Sequence, residues 1–324
     1  MIVPEYRFVL IFALHSLFSG CAFVQPAPLI TIENAQPSET DISVTLPGLS
    51  LCQGDTRARA VISADKPVYL MVHGCKGSAG SFRKLSEVLK YQEKQTLCYT
   101  YNDRDKLSDV ASHLATTIHK LSGHFSYPEI TLIGHSQGGL IARKAVTKEF
   151  LTEKETSITL VTVSAPLSGI KSAEPCGRKS IRLATLGIHD LACRIISGGK
   201  WFEITNSSDY IRTPGELQSS VTKYALVMTD ETDSCREFDS SGNCVKDDYV
   251  FSLREQQLPV ATQGLQASSK VIKDGHVAVV GENGKVPYRL IYALQDLRVL
   301  DKAPVYEEAM FSEFLQKLYL ANNQ

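Results

Sequence analysis

The chain has 324 residues, of which 43% are hydrophobic, and its formal net charge at pH 7 is -1. A chain of this length and composition can bury a core large enough for one catalytic domain of about 250 residues or more. Basic residues are scattered rather than clustered, which argues against nucleic acid as a partner. No repeat with the period of a solenoid is present.

The first residues have the features of an export signal. Arg7 precedes a short apolar segment, residues 8–18, which is too short to span a bilayer. The segment ends in the sequence FSGC, which resembles the lipobox of bacterial lipoproteins, in which the cysteine is lipidated. The resemblance implies a lipoprotein-type signal peptide over residues 1–20, lipidation of Cys21 and a place in the bacterial cell envelope. Ala22 after the cysteine indicates the outer membrane. An ordinary cleaved signal and an uncleaved anchor are the alternatives.

Residues 21–40 contain several prolines and few charges, a composition typical of a tether. We therefore predict that the folded domain covers residues 41–324. Strand-like runs follow at Ile42–Leu46 and Ala58–Ser63, with turn-forming residues between them. These runs are predicted to be antiparallel opening strands of the main sheet.

From Pro67 onward, predicted strands and helices alternate. Apolar, strand-like runs occur at residues 68–72, 97–101, 130–133 and 158–163, and helical spacing of apolar residues separates them. This alternation is typical of an α/β fold with a mostly parallel, doubly wound sheet.

The sharpest motif is Gly134-His135-Ser136-Gln137-Gly138, a G-x-S-x-G sequence between a predicted strand and a predicted helix. Such a turn holds a serine in a strained backbone, so small residues are needed two positions before and after it. Both places are glycines. The sequence therefore predicts that Ser136 is a nucleophile exposed at the carboxyl edge of the sheet.

A second glycine-containing loop, His73-Gly74-Cys75-Lys76-Gly77, follows the strand at residues 68–72. Acyl-transfer enzymes need backbone N–H groups directed at the oxyanion that forms during the reaction. One donor comes from the residue after the nucleophile and one from a loop of this kind. We predict that the N–H groups of Cys75 and Gln137 form this oxyanion hole.

Three motifs together resemble α/β-hydrolases of the lipase and esterase type: HGCKG at residues 73–77, GHSQGG at 134–139 and, more loosely, VTVSAPLSG at 161–169. The resemblance covers Pro67 to about Leu294. It implies the α/β-hydrolase fold and a serine hydrolase that cleaves carboxylic esters of lipid-like substrates. It also implies the chain order nucleophile, acid, histidine.

Only His189 and His276 follow Ser136 in the chain. His276 is favoured because a short predicted strand and a glycine-containing turn precede it, as in the histidine loop of this family. His135 is expected to point away from its neighbour Ser136 across the turn.

The triad acid is expected after the predicted strand at residues 224–228. Asp247 is the first choice because D-x-x-V at residues 247–250 fits a register common in the family, and Asp248 is the second choice. The acid would accept the imidazole N–H and fix its tautomer. Other carboxylates of this region include Asp230, Glu231, Asp233 and Asp239, of which Asp230 is the reserve candidate.

The chain has eight cysteines, a number that suits an exported protein once Cys21 is set aside. Spacing predicts the disulfide pairs Cys235–Cys244 and Cys176–Cys193. The remaining thiols, Cys52, Cys75 and Cys98, leave one unpaired. No C-x-x-C pair exists, so a zinc site is not expected, and we predict no metal and no cofactor.

Residues 167–222 form an insertion that is long for a plain connection. It is rich in leucine and isoleucine and contains Trp201-Phe202, so we predict a cap over the serine that contacts an acyl chain. A small docked helical layer is the alternative. For the whole protein, the alternatives to ester hydrolysis are acyl transfer to an alcohol by the same triad and a non-catalytic surface protein that retains the fold.

Overall fold

The computed structural model describes residues 29–34, 41–53, 59–125, 129–152, 156–173, 198–258, 265–282, 286–302 and 307–320. The predictions for the signal peptide, for Cys21, for His189 and for the Cys176–Cys193 pair lie outside the described residues.

The strands of the described residues form a sheet of seven strands, a sheet of three strands and a hairpin. In chain order they are β1 (Leu29–Glu33), β2 (Ile42–Thr45), β3 (Leu49–Ser50), β4 (Ala60–Ser63), β5 (Val68–Val72), β6 (Gln95–Tyr99), β7 (Glu129–His135), β8 (Ser157–Val163), β9 (Val221–Asp230), β10 (Cys235–Phe238), β11 (Cys244–Asp247) and β12 (Ser268–Lys273). The main sheet has seven strands in the order β12-β9-β8-β7-β5-β6-β3. Its strands are parallel except at the β3–β6 pair. The predicted mostly parallel sheet is confirmed.

Helices cover both faces of this sheet. The longer ones are α1 (Arg83–Tyr91), α2 (Leu107–Ser122), α3 (Gln137–Ala145), α4 (Tyr288–Asp296) and α5 (Glu308–Leu320). Shorter helical turns are Ala79–Phe82, Lys171–Ala173, Gly199–Phe202, Asp209–Arg212, Leu253–Gln256 and Ala278–Val280. Helices α2 and α3 contribute to one hydrophobic core and α1 and α4 to the other. The sheet is therefore doubly wound.

The central strands are apolar because both of their faces are covered. Every residue of β5 is buried, and so is every residue of β7 after Glu129. Burial on both faces fixes the carboxyl end of β7 firmly, and Ser136 follows this end directly.

The amino-terminal part of the fold differs from the prediction in two ways. Strands β2 and β4 do not open the main sheet, because they flank β1 in a separate sheet of three strands. Strand β1 lies within the predicted tether, and Ile30 and Ile32 on it are fully buried. Alternating apolar residues thus outweigh the surrounding prolines here. In the main sheet, the antiparallel edge strand is β3.

Two disulfides join described residues. The predicted Cys235–Cys244 pair is confirmed, and it closes the β10–β11 hairpin. Cys52 pairs with Cys98, which leaves Cys75 as a free, exposed thiol. Across the described ranges, no helix combines the length and the hydropathy needed to cross a bilayer.

Candidate active site

The turn between β7 and α3 has the strained geometry that the G-x-S-x-G sequence predicts. Ser136 has φ 56° and ψ -127°, a left-handed region that residues with a side chain rarely adopt. A Cβ atom on Gly134 would lie 2.4 Å from the carbonyl oxygen of Gly138, and one on Gly138 would lie 2.2 Å from that of Val72. Any side chain at these two positions would therefore push the turn apart.

His276 lies beside this serine. It follows β12 in a short loop, and its Nε2 is 3.0 Å from Oγ of Ser136. Both side chains are buried to about the same extent, at 6% exposed. This is the distance at which an imidazole can remove a proton from a hydroxyl.

The carboxylate on the other side of the imidazole belongs to Glu231, not to Asp247. Nδ1 of His276 is 2.8 Å from Oε1 of Glu231. Asp247 ends the fully exposed strand β11, opposite Cys235, on the solvent side of the hairpin. Glu231 is the first residue after β9, and β9 lies next to β12, so a side chain there reaches the histidine loop. The choice of Asp247 is thus corrected. The D-x-x-V register selected a residue of the β10–β11 hairpin, which is inserted between β9 and His276.

Buried donors surround the carboxylate of Glu231. Its Oε2 accepts the N–H groups of Val250 and Phe251, at 2.5 and 2.8 Å. Its Oε1 accepts the hydroxyls of Ser164 and Thr229, at 2.7 and 2.9 Å. Burial raises the pKa of Glu231, but the hydrogen bond and charge of His276 and these donors outweigh it. The net pKa is below the ordinary value, so the carboxylate is ionised at neutral pH.

Asp248, the second candidate, does not contact the imidazole but holds the loop that carries it. Its carboxylate accepts the N–H groups of Val277 and Ala278 at 3.0 Å each, and its carbonyl accepts the N–H of His276 at 2.9 Å. Arg236 pairs with it at 2.7 Å. The reserve candidate Asp230 is the last residue of β9, and its carboxylate lies 3.5 Å from the ammonium of Lys273.

His135 also contacts the histidine loop, which the sequence did not lead us to expect. Its Nε2 is 2.9 Å from the carbonyl oxygen of His276, and the two rings are 5.0 Å apart. Burial, and next the nearby charge of His276, lower the pKa of His135 to about 3. A neutral His135 therefore donates to this carbonyl and supports the loop without adding charge.

The loop with Cys75 packs directly against the nucleophile. A Cβ atom on Gly74 would lie 2.9 Å from Cβ of Ser136, so only glycine allows this approach. The ring of Tyr101 stacks on His73 at 4.4 Å, and its hydroxyl donates to the carbonyl of His73 at 2.8 Å. Within the described parts of the chain, the backbone N–H groups of Cys75 and Gln137 donate to no other group. Their use as oxyanion donors stays a prediction.

A cleft of about 680 Å³ opens over Ser136 and His276. Part of its wall comes from the predicted cap, namely Ile170, Trp201 and Ile204, and part from Val250 and Phe251. Charged groups lie among the lining residues as well: Lys76, Lys200, Arg236, Glu237, Lys246 and Glu282. The cleft is therefore lined by both apolar and charged side chains. In the portion of the chain that the structure describes, no group of histidine, cysteine and carboxylate side chains could hold a metal ion.

Comparisons with known proteins agree with this architecture. The family model of palmitoyl protein thioesterase matches residues 67–225, just under half of the chain. No curated protein is similar enough to the sequence to match it.

Several solved structures are distantly similar. The mature lipase BlEst2 from Bacillus licheniformis is 13% identical, with a TM-score of 0.45, over 72% of this chain and 92% of that one. Inhibited esterase B from Lactobacillus rhamnosis is 16% identical, with a TM-score of 0.47, over 80% of this chain and 81% of that one. The lin2722 gene product from Listeria innocua is 11% identical, with a TM-score of 0.46, over 74% and 96%. Scores this low add no detail about the site.

The match to the thioesterase family model includes strands β5 to β8 and the serine turn after β7. The histidine comes after the last strand of the sheet, as the resemblance in the sequence implies. The chain therefore has the α/β-hydrolase fold and resembles the lipases and esterases of that fold.

Proposed function

We propose that this protein is a serine hydrolase that cleaves acyl esters of lipid-like substrates, with Ser136 as nucleophile, His276 as base and Glu231 as acid. The observation that carries the proposal is the continuous hydrogen-bonded line from Ser136 through His276 to Glu231, at 3.0 and 2.8 Å, beneath an open cleft. A serine with a positive φ and a buried, fully bonded carboxylate are arrangements that a structural role does not require.

In the reaction we propose, Oγ of Ser136 attacks the ester carbonyl while Nε2 of His276 takes its proton. The N–H groups of Cys75 and Gln137 stabilise the oxyanion, and the ionised Glu231 stabilises the imidazolium. The leaving alcohol then receives the proton from His276. Water repeats the sequence on the acyl-enzyme and releases the free acid.

The apolar wall supports a lipid-like acyl group. Burial of each methylene against residues such as Ile170, Trp201 and Ile204 contributes roughly 0.8 kcal/mol. We expect kcat/KM for p-nitrophenyl esters to rise from acetate to at least hexanoate. Steady-state kinetics on an ester series would measure this. A kcat/KM highest for acetate and falling with chain length would contradict the lipid-like substrate and favour a small-ester hydrolase.

The family match supports a second candidate, hydrolysis of S-acyl thioesters. The matching family is described as palmitoyl protein thioesterase, and an acyl thioester would use the same nucleophile, base and oxyanion donors. Rates on an S-palmitoyl peptide and on an O-palmitoyl serine analogue of the same peptide would separate the two. Addition of a short alcohol to either assay would show whether the acyl group goes to water or, as an acyltransferase requires, to the alcohol.

We also propose that the enzyme is held at a bacterial outer membrane by a lipid on Cys21. The support is the lipobox-like sequence, and stable anchoring needs more than one acyl chain. Cells fed labelled palmitate should yield labelled protein in the membrane fraction, and Cys21→Ser should abolish the label and block processing. A soluble, unlabelled parent protein would favour an ordinary cleaved signal instead.

A further inference from the structure

One carboxylate connects the loop of residues 73–77, called the oxyanion loop below, to the predicted cap. Oδ2 of Asp103, in the loop after β6, accepts the backbone N–H of Lys76 at 2.8 Å and the ammonium of Lys200 at 3.1 Å. It also accepts the thiol of Cys75 at 3.3 Å. Three groups from two separate segments thus meet on a single oxygen atom.

The oxyanion loop needs such support because Lys76 has φ 58°, in the left-handed region. A residue with a Cβ atom occupies this region only at a cost in free energy, and it stays there only when its surroundings fix it. The N–H of Lys76 is fixed by Asp103. If this bond were lost, Lys76 could relax to negative φ, which would rotate the peptide between Cys75 and Lys76 and shift the loop that holds the N–H of Cys75.

Lys200 holds Asp103 from the other side. It is only 4% exposed, and its Nζ lies 2.9 Å from Sγ of Cys75 as well as beside Asp103. Its segment is attached to the same loop at a second point, where the N–H of Gly199 donates to the carbonyl of Arg104 at 2.8 Å. The neighbouring Trp201 forms part of the cleft wall. The ion pair between Lys200 and Asp103 therefore links the cap segment that lines the cleft to the oxyanion loop beside Ser136.

The charge of Asp103 is consistent with this role. Burial raises the pKa of its carboxyl, but the N–H of Lys76 and the ammonium of Lys200 lower this pKa by more. The net pKa is therefore below the ordinary value. The group is ionised at neutral pH, so it forms charge-assisted hydrogen bonds, which are the stronger kind.

We propose that Asp103 is a positioning residue of the oxyanion hole: bonded to Lys76 and locked by Lys200, it directs the N–H of Cys75 at the reacting carbonyl oxygen. This inference rests on the proposed hydrolase function. It adds that transition-state stabilisation depends on an ion pair with the cap.

The test compares Asp103→Ala and Asp103→Asn with the control Asp105→Asn. Asp105 is an exposed carboxylate of the same loop that bonds Asn102 and not the oxyanion loop. Complete removal of an oxyanion donor costs about 100- to 1000-fold in kcat, so a displaced donor should cost somewhat less. We expect Asp103→Ala to lower kcat by roughly 10- to 100-fold with KM nearly unchanged. Asp103→Asn should lose less, because its amide oxygen can still accept from Lys76, and Asp105→Asn should match the parent.

Two ligands separate positioning from general damage. Inhibition by a trifluoromethyl ketone, which forms the tetrahedral adduct, should weaken in Asp103→Ala by the same factor as kcat/KM falls. Inhibition by the matching fatty alcohol, which has no carboxylate for the oxyanion hole and binds through the cleft wall, should not change. Equal weakening for both ligands, or an unchanged kcat, would overturn the proposal.

Amide hydrogen exchange of the peptide that contains residues 73–77 gives a result that does not depend on turnover. Exchange should be faster in Asp103→Ala and in Lys200→Met than in the parent and in Asp105→Asn. Unchanged exchange in both variants would refute the positioning role even if activity fell. If the parent neither hydrolyses esters nor reacts with a fluorophosphonate, the proposed function fails, and the exchange result still decides whether Asp103 and Lys200 hold the loop.

Discussion

Replacement of Ser136 by alanine should lower kcat for ester hydrolysis by about 10⁶-fold, because loss of a triad nucleophile leaves only binding and oxyanion stabilisation. The same change should abolish labelling by a fluorophosphonate, since Oγ is the atom that would attack the phosphorus. Active-site titration and single-turnover kinetics would measure both effects. The buried turn should stay folded, because its shape depends on the close backbone packing that Gly134 and Gly138 allow and not on the hydroxyl.

A far-UV spectrum and a melting temperature close to those of the parent would be the control for folding. Activity within about tenfold of the parent would exclude Ser136 as the nucleophile. A parent protein that is folded but takes up no fluorophosphonate would instead support a non-catalytic surface protein with a retained fold.

The second large effect should come from Glu231. Replacement by glutamine keeps the shape but removes the charge that stabilises the imidazolium, and a comparable change in other serine hydrolases lowers kcat by about 10⁴-fold. The amide would also place donors against Ser164, Thr229 or the N–H groups of Val250 and Phe251, which already donate to this site. We therefore expect a loss of about 10³- to 10⁴-fold in kcat, with little change in KM.

Asp247→Asn is the matched control, because it makes the same chemical change at an exposed position of the neighbouring hairpin. It should stay within about twofold of the parent, as surface changes usually do. A greater loss from Asp247→Asn than from Glu231→Gln would indicate that Asp247 is the acid, and it would contradict the geometry. Asp248→Asn should fall between the two, since it loosens the loop of His276 without touching the imidazole.

The serine turn could be predicted from the sequence because its constraint is local. A strand, two glycines at fixed spacing around the serine and a helix are contiguous in the sequence. The same holds for the parallel sheet, whose apolar strands alternate with helices of regular spacing. His276 was also within reach, because it follows a strand and a glycine and only one other histidine competes with it.

The acid was out of reach for a different reason. Six carboxylates follow β9 within a short span. Which of them contacts His276 depends on the β10–β11 hairpin, which places Asp247 in solvent. Strand β1 was missed because it pairs in parallel with β4, where Ile30 lies opposite Ala60, whereas the prolines around it are adjacent in sequence. Pairing between distant segments leaves only a weak local pattern.

With Cys21 acylated as we propose, the position of β1 would limit how far the domain can lie from a membrane. Leu29, the first residue of β1, comes only eight residues after Cys21. An extended chain spans at most about 3.6 Å per residue, so an acylated Cys21 would keep Leu29 within roughly 29 Å of the lipid anchor. So short a connection would keep the domain close to one leaflet, where it would meet its substrates by lateral diffusion. Such an enzyme would process esters embedded in or tethered to its own membrane far faster than the same esters dissolved in the surrounding fluid.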